Sequence, residues 1–560
     1  MEQHVDHDLH GVDDTFPTDV GGLVEATRPV LRELADGDVL ELRIAPVAKR
    51  LGESTVRMLG YNGSIPGPTV KVRQGTEIVV TVTNHGDLET TVHWHGLRLE
   101  NRYDGVPHET QIPIPVGGSF TYRLTFPDPG LYWYHPHVRE DYGQELGLYG
   151  NIVVEAAEAD YWPPVHRDAV LTLDDLLLED GKIAPFSRTQ TNYTAMGRFG
   201  NVLLIGGEPQ ASLTAKTGEV VRLYLTNTAN TRVFNVALPG ARMKLVGGDS
   251  GRYEHAEMVE EVLLAPSERA VVDVLFDQPG RLTLQHRTPD RTYTLATIAV
   301  ADDRAEPSLA TDFEIQRTAP ELVAERQQLD AYLAAPPDKI LALVAEMDDI
   351  GVLDASDAPI VYACPMHPEV TSSKPGRCPT CGMKLMAGQA VTQPASGHDA
   401  EAAHDTAGVS HDHHGNGHPH DGSGEGIEWE DDMVEVNRLT TPANMRWKLI
   451  DRGTGFENAA IDWRFRVGDR VKIRLVNEMD SDHPMHHPFH LHGAGRFLVL
   501  ARDGVTEPNL VWKDTVLVRT GQTVDILFDV TEAGLWMAHC HIAEHMQSGM
   551  MFSFTVERSA

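Results

Sequence analysis

The chain has 560 residues, 41% of them hydrophobic, which indicates three or four domains of ordinary soluble composition. Its formal net charge of −35 argues against a nucleic-acid partner, because nucleic-acid phosphates would be repelled. The sequence has no run of about eighteen apolar residues, so no membrane span is predicted. Four cysteines are too few for a disulfide framework.

Two sequence elements recur three times along the chain. A turn glycine followed by an alternating strand occurs at 75–84, 218–227 and 468–477. A second strand, which ends in a glycine turn, occurs at 120–130, 271–280 and 524–534. Repeated short strands with glycine and proline turns predict β-sandwich modules. We place these modules at 38–160, 161–302 and 427–560.

The first module has two pairs of alternate histidines, His93 with His95 and His135 with His137. Alternate residues of a strand point to the same face, so each pair could offer two imidazoles to one site. A single pair of this kind is more often structural. Asp104 follows shortly and precedes a glycine, which is typical of a simple turn residue.

The second module has no paired histidines, only isolated ones such as His286, and is interpreted as scaffold. An insertion then separates it from the third module. Residues 303–359 include a run rich in alanine, leucine and glutamate, which predicts a linker of one or two helices. Residues 389–426 are rich in glycine, serine, histidine and aspartate, and predict a disordered linker that either collects metal loosely or is merely solvated.

Between these linkers, residues 360–388 form a small segment rich in sulfur ligands. Thiolates and thioethers favour Cu(I), whereas three cysteines and a histidine could equally hold structural zinc, or no metal. The candidate ligands are Cys364, Met366, His367, Cys378, Cys381, Met383 and Met386.

The third module combines a histidine-rich strand with a cysteine between two histidines. Cys540, His545 and Met550, with His487 from a neighbouring strand, supply the cysteine, histidine and methionine set of an electron-transfer copper. Alternation sends the two neighbours of Cys540 to the opposite face of the strand, where they can bind a separate metal cluster. One covalent stretch would then link an electron-entry site to an oxygen site.

Together these motifs resemble those of the three-domain multicopper oxidases, which include laccases, ascorbate oxidases and bacterial cuprous oxidases. The resemblance covers about 38–302 and 427–557. It implies an all-β fold of three cupredoxin-like sandwiches, and four one-electron oxidations of a substrate coupled to reduction of O2 to two waters. It also implies one type 1 copper (His487, Cys540, His545, Met550), one type 2 copper (His93, His490) and two type 3 coppers (His95, His135, His137, His492, His539, His541).

The resemblance also suggests how protons reach the oxygen site. Asp104 matches an acid that family members place there. Bacterial relatives often have a glutamate directly after the last type 1 histidine, where this chain has Met546. Either Glu544 takes over proton delivery, or delivery is slower.

The reductant is suggested by Met485, which matches a methionine that helps to hold substrate Cu(I) in bacterial cuprous oxidases. His483 stands where those enzymes have an aspartate, and imidazole is also a plausible ligand. Met485 could alternatively serve only in packing. The methionine-rich helical segment of those enzymes has no counterpart, whereas 360–388 resembles the heavy-metal-binding domain of copper and silver efflux proteins.

The resulting hypothesis is oxidation of Cu(I) to Cu(II) in copper tolerance, with the inserted segment as a copper collector. The alternatives are a laccase-like oxidase of phenols and aromatic amines, and a copper-sequestering protein. The family resemblance favours an extracytoplasmic location, although the acidic N-terminus has no secretory signal pattern. Sequence alone gives no oligomeric state.

Overall fold

Three β-sandwiches follow one another along the chain, and a three-stranded sheet is attached to the third. The computed structural model describes residues 14–349, 360–389 and 426–559. The disordered linker predicted at 389–426 therefore lies almost entirely outside the described residues. Within the described ranges, no helix has both the length and the apolar character needed to cross a membrane.

The first sandwich has nine strands and one short helix, α1 (Glu140–Gly143). The strands are β1 (Leu31–Glu33), β2 (Val39–Leu51), β3 (Ser54–Tyr61), β4 (Thr69–Arg73), β5 (Glu77–Asn84), β6 (His93–His95), β7 (Ser119–Thr125), β8 (Gly130–His135) and β9 (Gly150–Glu155). They form two sheets, in the orders β1-β4-β9-β8-β6 and β3-β2-β5-β7. Alternate residues of β5 are buried, and they share one core with residues of β8 and β9.

The second sandwich is built in the same way, from two sheets and a small hairpin. Its strands are β10 (Arg167–Leu176), β11 (Leu178–Glu179), β12 (Lys182–Ile183), β13 (Val202–Ile205), β14 (Ala211–Thr217), β15 (Val220–Asn227), β16 (Phe234–Ala237), β17 (Arg242–Gly248), β18 (Gly251–Val259), β19 (Glu261–Leu264), β20 (Arg269–Leu275), β21 (Gly280–Arg287) and β22 (Thr292–Arg304). The sheet orders are β13-β10-β15-β20-β17-β18 and β14-β22-β21-β16-β19.

Three short helices follow, α2 (Ala310–Glu314), α3 (Pro320–Arg326) and α4 (Asp330–Ala334). The third sandwich and the inserted sheet then contain β23 (Lys339–Met347), β24 (Ile360–Ala363), β25 (Thr371–Ser372), β26 (Met386–Gln389), α5 (Val434–Asn437), β27 (Met445–Asp451), β28 (Arg464–Arg466), β29 (Arg470–Asn477), β30 (His487–Leu491), β31 (Gly495–Arg502), β32 (Val505–Thr506), β33 (Thr515–Val518), β34 (Thr523–Val530), β35 (Gly534–Cys540), α6 (Ala543–Gln547) and β36 (Met551–Glu557).

The sheets of the third sandwich have the orders β27-β23-β29-β34-β31-β32 and β28-β36-β35-β30-β33, and the inserted sheet has the order β25-β24-β26. The prediction of a helical linker is therefore wrong over β23. This strand pairs with β27 and, in parallel, with β29. Its alanine, leucine and glutamate favour a helix locally, but pairing in the sheet overrides that preference. The insertion thus interrupts the third sandwich after that sandwich's first strand.

Two strand pairs position the candidate ligands. In the first sandwich β6 pairs with β8, so that His93 lies opposite His135. In the third sandwich β30 pairs with β35, so that His490 lies opposite His539. The same arrangement of paired strands in both sandwiches lets their histidines meet across the boundary between them.

Candidate metal centres

Eight histidines from the first and third sandwiches face one another; we call them the histidine cluster. The ring centroids of His93 and His492 are 4.0 Å apart, and those of His95 and His490 are 3.8 Å apart. Each of the eight is at most 4% exposed. The structure brings together all the residues expected to bind type 2 and type 3 copper: His93, His95, His135, His137, His490, His492, His539 and His541.

Fixed hydrogen bonds orient six of these eight rings. His93 Nδ1 lies 2.7 Å from the carbonyl oxygen of Asp104, and His490 Nδ1 lies 2.9 Å from that of Asp514. Partners of this kind hold a metal-binding imidazole in one tautomer and one orientation. The other four oriented rings are His95, held through Nε2 by the Asp514 carboxylate, and His135, His492 and His539, held through Nδ1.

The opposite ring nitrogens of four of these six have no hydrogen-bond partner, and those of His492 and His539 face each other at 3.1 Å. Burial lowers the pKa of most of these imidazoles, to about 4 for His539 and well below the usual value for others such as His135, so those rings are neutral. Leaving a buried polar atom unpaired is costly, and lone pairs on neutral imidazoles suit copper. The ring nitrogens without a hydrogen-bond partner are His93 Nε2, His95 Nδ1, His135 Nε2, His137 Nε2, His490 Nε2 and both nitrogens of His541.

A second set of candidate ligands, which we call the cysteine group, surrounds Cys540. Its Sγ lies 3.5 Å from His487 Nδ1 and 3.8 Å from His545 Nδ1. Met550 is fully buried in the same core, and its carbonyl accepts the Cys540 N–H at 3.1 Å. Burial raises the pKa of the Cys540 thiol, so a bound cation is needed to hold it as thiolate. This donor set fits the predicted electron-transfer copper.

The histidine cluster and the cysteine group meet within three consecutive residues. Cys540 lies opposite Phe489 in the β30–β35 pair, and His539 lies opposite His490. His539 Nδ1 is 2.9 Å from the Cys540 carbonyl oxygen. Alternation along β35 therefore puts the thiol on one face of the strand and its flanking imidazoles on the other.

The cysteine group is closed to solvent. His487 and His545 have no exposed surface, and the Nε2 atom of each is buried without a partner. Trp447 stacks on His545 with ring centroids 4.0 Å apart, and its indole N–H donates to the Thr194 carbonyl at 2.6 Å. An aromatic reductant would find no exposed imidazole edge here.

The two proton-donor candidates lie in different places. Asp104 is fully buried, and its Oδ2 is 2.8 Å from His492 Nδ1, so it contacts the histidine cluster directly. A side chain on Gly105 would strike the Val92 carbonyl, which explains the glycine of this turn. Glu544 lies on α6, within 3.4 Å of Asn230 Nδ2. Burial raises its pKa to about 7.

Sequence reasoning missed two carboxylates at the histidine cluster. Asp514 Oδ1 accepts hydrogen bonds from Thr515 and from the fully buried Arg269, in addition to facing His95. Glu140, on α1, places Oε1 3.3 Å from His135 Nδ1, and neither of its carboxylate oxygens has a hydrogen-bond partner. Glu140 could have been identified from the sequence, because it lies three residues after His137. Nothing near Asp514 in the sequence distinguishes it.

The two residues expected to hold substrate copper precede the cysteine group. His483 is fully buried, and neither of its ring nitrogens has a hydrogen-bond partner. Burial lowers its pKa to about 4, so the ring is neutral. Met485 is fully buried as well, and its carbonyl accepts from Asn477 Nδ2 at 2.6 Å.

The inserted segment contains a third group of candidate ligands. The ligand atoms of Cys364, His367, Cys378 and Cys381 all lie within 4.8 Å of one another. Burial opposes ionisation of Cys378, but backbone donors at Cys381 and Thr380 lower the pKa of its thiol to about 7. The remaining three candidates, Met366, Met383 and Met386, pack into the core of the third sandwich.

Comparison with family models matches each of the three sandwiches and the inserted segment. Models described as multicopper oxidase match residues 45–159, 157–301 and 430–560. A model described as heavy metal binding domain matches residues 361–387. The all-β sandwich fold expected from the sequence is confirmed.

Individual relatives cover nearly the whole chain. The multicopper oxidase MmcO of Mycobacterium tuberculosis is 27% identical, over 94% of this chain and 88% of its own length. Laccase-3 of rice (Oryza sativa subsp. japonica) is 25% identical, over 90% and 89% respectively. A solved multicopper oxidase from Campylobacter jejuni, named a metallo-oxidase, aligns with a TM-score of 0.62 at 21% identity, over 96% and 98%.

Proposed function

Because this chain belongs to the multicopper oxidases, and so is an oxidoreductase that holds type 1, type 2 and type 3 copper, we propose that its reductant is Cu(I). In this proposal, electrons from Cu(I) enter at the cysteine group and reduce O2 to water at the histidine cluster. The observation that supports Cu(I) most directly is His483, a fully buried neutral imidazole with two unpartnered nitrogens, close in sequence to His487.

The ligand assignment follows the family resemblance. The cysteine group (His487, Cys540, His545, Met550) would hold type 1 copper. Within the histidine cluster, His93 and His490 would hold type 2 copper and the other six would hold the type 3 pair. When bound, copper supplies one-electron redox chemistry that amino-acid side chains lack. What β35 supplies is proximity, because Cys540 lies between two residues of the histidine cluster.

Buried carboxylates would supply protons at the histidine cluster. Asp104 Oδ2 contacts His492, and Glu140 Oε1 lies near His135. Burial, with the charges of Asp141 and Glu544, raises the pKa of Glu140 well above its usual range, so it can hold a proton at neutral pH. We assign Asp104 and Glu544 to proton delivery, as expected from the sequence, and add Glu140, which lies within 4 Å of three cluster histidines (His135, His137 and His541).

Two features favour Cu(I) over a phenol as reductant. Met485 and His483 offer a thioether and an imidazole, which are ligands that Cu(I) accepts. The closed surface over His487 and His545 leaves no imidazole edge for an aromatic ring to contact. A small cation that passes between soft ligands can cross such a surface, whereas a methoxyphenol would have to displace packed side chains.

Oxygen uptake by the copper-loaded protein, with Cu(I) or with a methoxyphenol as reductant, tests this proposal. We expect faster uptake with Cu(I). Met485→Leu should slow the Cu(I) reaction by about tenfold or more, since even an outer partner of a metal is worth about 10–100-fold in affinity. Met58→Leu, an equally buried change in the first sandwich, is the matched control. Faster uptake with the phenol, indifferent to Met485→Leu, would instead establish a laccase-like enzyme.

Copper sequestration is the remaining alternative. It predicts tight copper binding by the inserted segment together with negligible oxygen uptake from either reductant. The complete set of ligands around Cys540 and in the histidine cluster argues against it, because storage does not require an electron-entry site joined to an oxygen site.

A further inference from the structure

The inserted segment is docked on the stretch of the third sandwich that leads into the cysteine group. The Lys384 N–H donates to the Asp482 carbonyl at 2.8 Å, and the Lys384 ammonium donates to the Met347 carbonyl at 2.7 Å. Arg377 donates to the Ser481 carbonyl and pairs with the carboxylate of Asp482 at 3.4 Å. These contacts fix residues 377–384 of the insert, which include Cys378 and Cys381, against residues 480–482.

The site of docking is itself rigidly held. Asp482 donates its N–H to the Ala345 carbonyl at 3.0 Å and accepts the Met347 N–H on its carboxylate at 3.1 Å. Ser481 accepts the Ala345 N–H at 2.8 Å. The loop of the insert therefore rests on a segment tied to β23, and the two cannot separate without breaking backbone hydrogen bonds.

This docking puts the two candidate metal sites of the proposed function next to each other. Met383 precedes the donor of the Lys384–Asp482 hydrogen bond, and His483 follows its acceptor. A Cβ on Gly382 would be 3.5 Å from Pro484, so the two segments are in contact on both sides of the Lys384–Asp482 hydrogen bond. Met383 and His483 are both fully buried, and neither ring nitrogen of His483 has a hydrogen-bond partner.

Thioethers are abundant in the core that contains both the insert and the cysteine group. One hydrophobic cluster contains Cys364 and Cys378 of the insert together with Cys540. Cores use methionine sparingly, because its flexibility specifies packing poorly, yet this cluster and the side chains packed on it hold nine of the 17 methionines of the chain. These are Met196, Met347, Met366, Met383, Met386, Met433, Met445, Met485 and Met550.

We propose that the insert passes Cu(I) directly to the cysteine group, through a transfer site formed by the Met383 thioether and the His483 imidazole. The inference rests on the proposed function, since it assumes that Cu(I) is the reductant. The ion would be collected by Cys364, His367, Cys378 and Cys381, and would then move by ligand exchange. The Cu(I)–thiolate bonds break as bonds to Met383 Sδ and a His483 nitrogen form, and the ion next reaches Met485.

No electron moves in this exchange, and the ion stays Cu(I) until it reaches the cysteine group. The thiolates that lose the ion either remain charged or take a proton from water. His483 would bind the ion through the lone pair of a ring nitrogen, so no proton has to leave. The copper is therefore held by soft or borderline ligands throughout and is never released to solvent.

The test uses the full-length, copper-loaded, oxidised protein without oxygen, and follows the loss of type 1 blue absorption in a stopped-flow instrument. Cu(I) is supplied in two forms, free or buffered to a low concentration by excess acetonitrile. With buffered Cu(I), the wild type should bleach rapidly. Met383→Leu, which preserves the apolar volume, should bleach at least about tenfold more slowly, by the magnitude typical for loss of a metal's supporting residue.

With free Cu(I), the ratio of the wild-type to the Met383→Leu bleaching rate should be smaller than with buffered Cu(I), since free ion can also reach the cysteine group without passing through the insert. Met58→Leu should match the wild type in both forms. Equal bleaching of Met383→Leu and wild type with buffered Cu(I) would overturn the transfer site while leaving Cu(I) oxidation intact. Failure of free Cu(I) to bleach the wild type would instead refute the proposed function, and with it the transfer. If the insert holds zinc and keeps it while buffered Cu(I) bleaches the type 1 absorption at the normal rate, the transfer would also be overturned.

Discussion

At the scale of single residues, the histidine cluster depends on partners that hold one nitrogen of a ring and leave the other free. Asp104 illustrates this, because its carbonyl oxygen faces His93 while its carboxylate faces His492. Asp514 does the same for His490 and His95. The ligands themselves could be predicted from their spacing in the sequence. Asp514 could not, because only the meeting of two sandwiches brings it to His95.

Asp104→Ala should lower the affinity for copper in the histidine cluster by about 10–100-fold, because His492 loses the partner that orients its ring. The cysteine group should keep its copper and its blue absorption, since Asp104 contacts none of its residues in the described part of the chain. Copper stoichiometry and absorption after dialysis measure both effects. Asp104→Asn, which retains an acceptor for His492, is the control; equal copper loss in both variants would contradict the positioning role.

Glu544 gives the copper-free protein a pH-dependent stability. Burial and the charge of Asp141 raise its pKa from 4.5 to about 7, so the folded chain retains a proton that the unfolded chain has released. Stability should therefore fall as pH rises from about 4.5 to 7, by up to about 3 kcal/mol at 1.36 kcal/mol per pKa unit. Glu140 contributes in the same direction. Glu544→Gln removes the contribution of Glu544 to this pH dependence and leaves that of Glu140.

Urea unfolding midpoints of copper-free wild type and Glu544→Gln, each at pH 5 and pH 8, measure this difference. The wild type should lose more stability between the two pH values than the variant loses. An equal loss in both proteins would show that Glu544 titrates normally in the folded chain.

At the scale of elements, β23 shows where sequence reasoning stops. Its residues favour a helix, and only the tertiary pairing with β27 and β29 makes them a strand. The strands β5, β15 and β29 were predictable, because each follows a turn glycine and repeats the same pattern. The inserted sheet was recognisable by its cysteine spacing, but its docking on residues 480–482 depends on backbone hydrogen bonds that leave no trace in the sequence.

The inserted segment should owe its fold to its metal. About 30 residues cannot bury enough apolar surface to be stable alone, so folding must be coupled to metal binding or to docking. Cys381→Ser should raise amide hydrogen exchange across 360–389, measured by mass spectrometry, while β30 and β35 stay protected. Cys540→Ser should leave protection of the insert unchanged. Full protection of 360–389 in Cys381→Ser would show that docking alone suffices.

At the scale of the whole molecule, the first and third sandwiches each supply four of the eight histidines, and the second sandwich supplies none. The second sandwich instead contributes Arg269, which pairs with Asp514, and Asn230, which contacts Glu544. The second sandwich therefore acts as a scaffold through contacts with Asp514 and Glu544. The histidine cluster is assembled from the first and third sandwiches, which explains why it could be inferred from paired motifs but not from any one module.

The stoichiometry of oxygen consumption tests the central claim most directly. Known amounts of Cu(I) are added to the copper-loaded protein, and consumed O2, Cu(II) and hydrogen peroxide are measured together. The account predicts four Cu(I) oxidised for each O2, with no peroxide, because the electron-entry site and the oxygen site act as one unit. Two Cu(I) per O2 with matching peroxide, or no consumption above that of a Cys540→Ser variant, would contradict it.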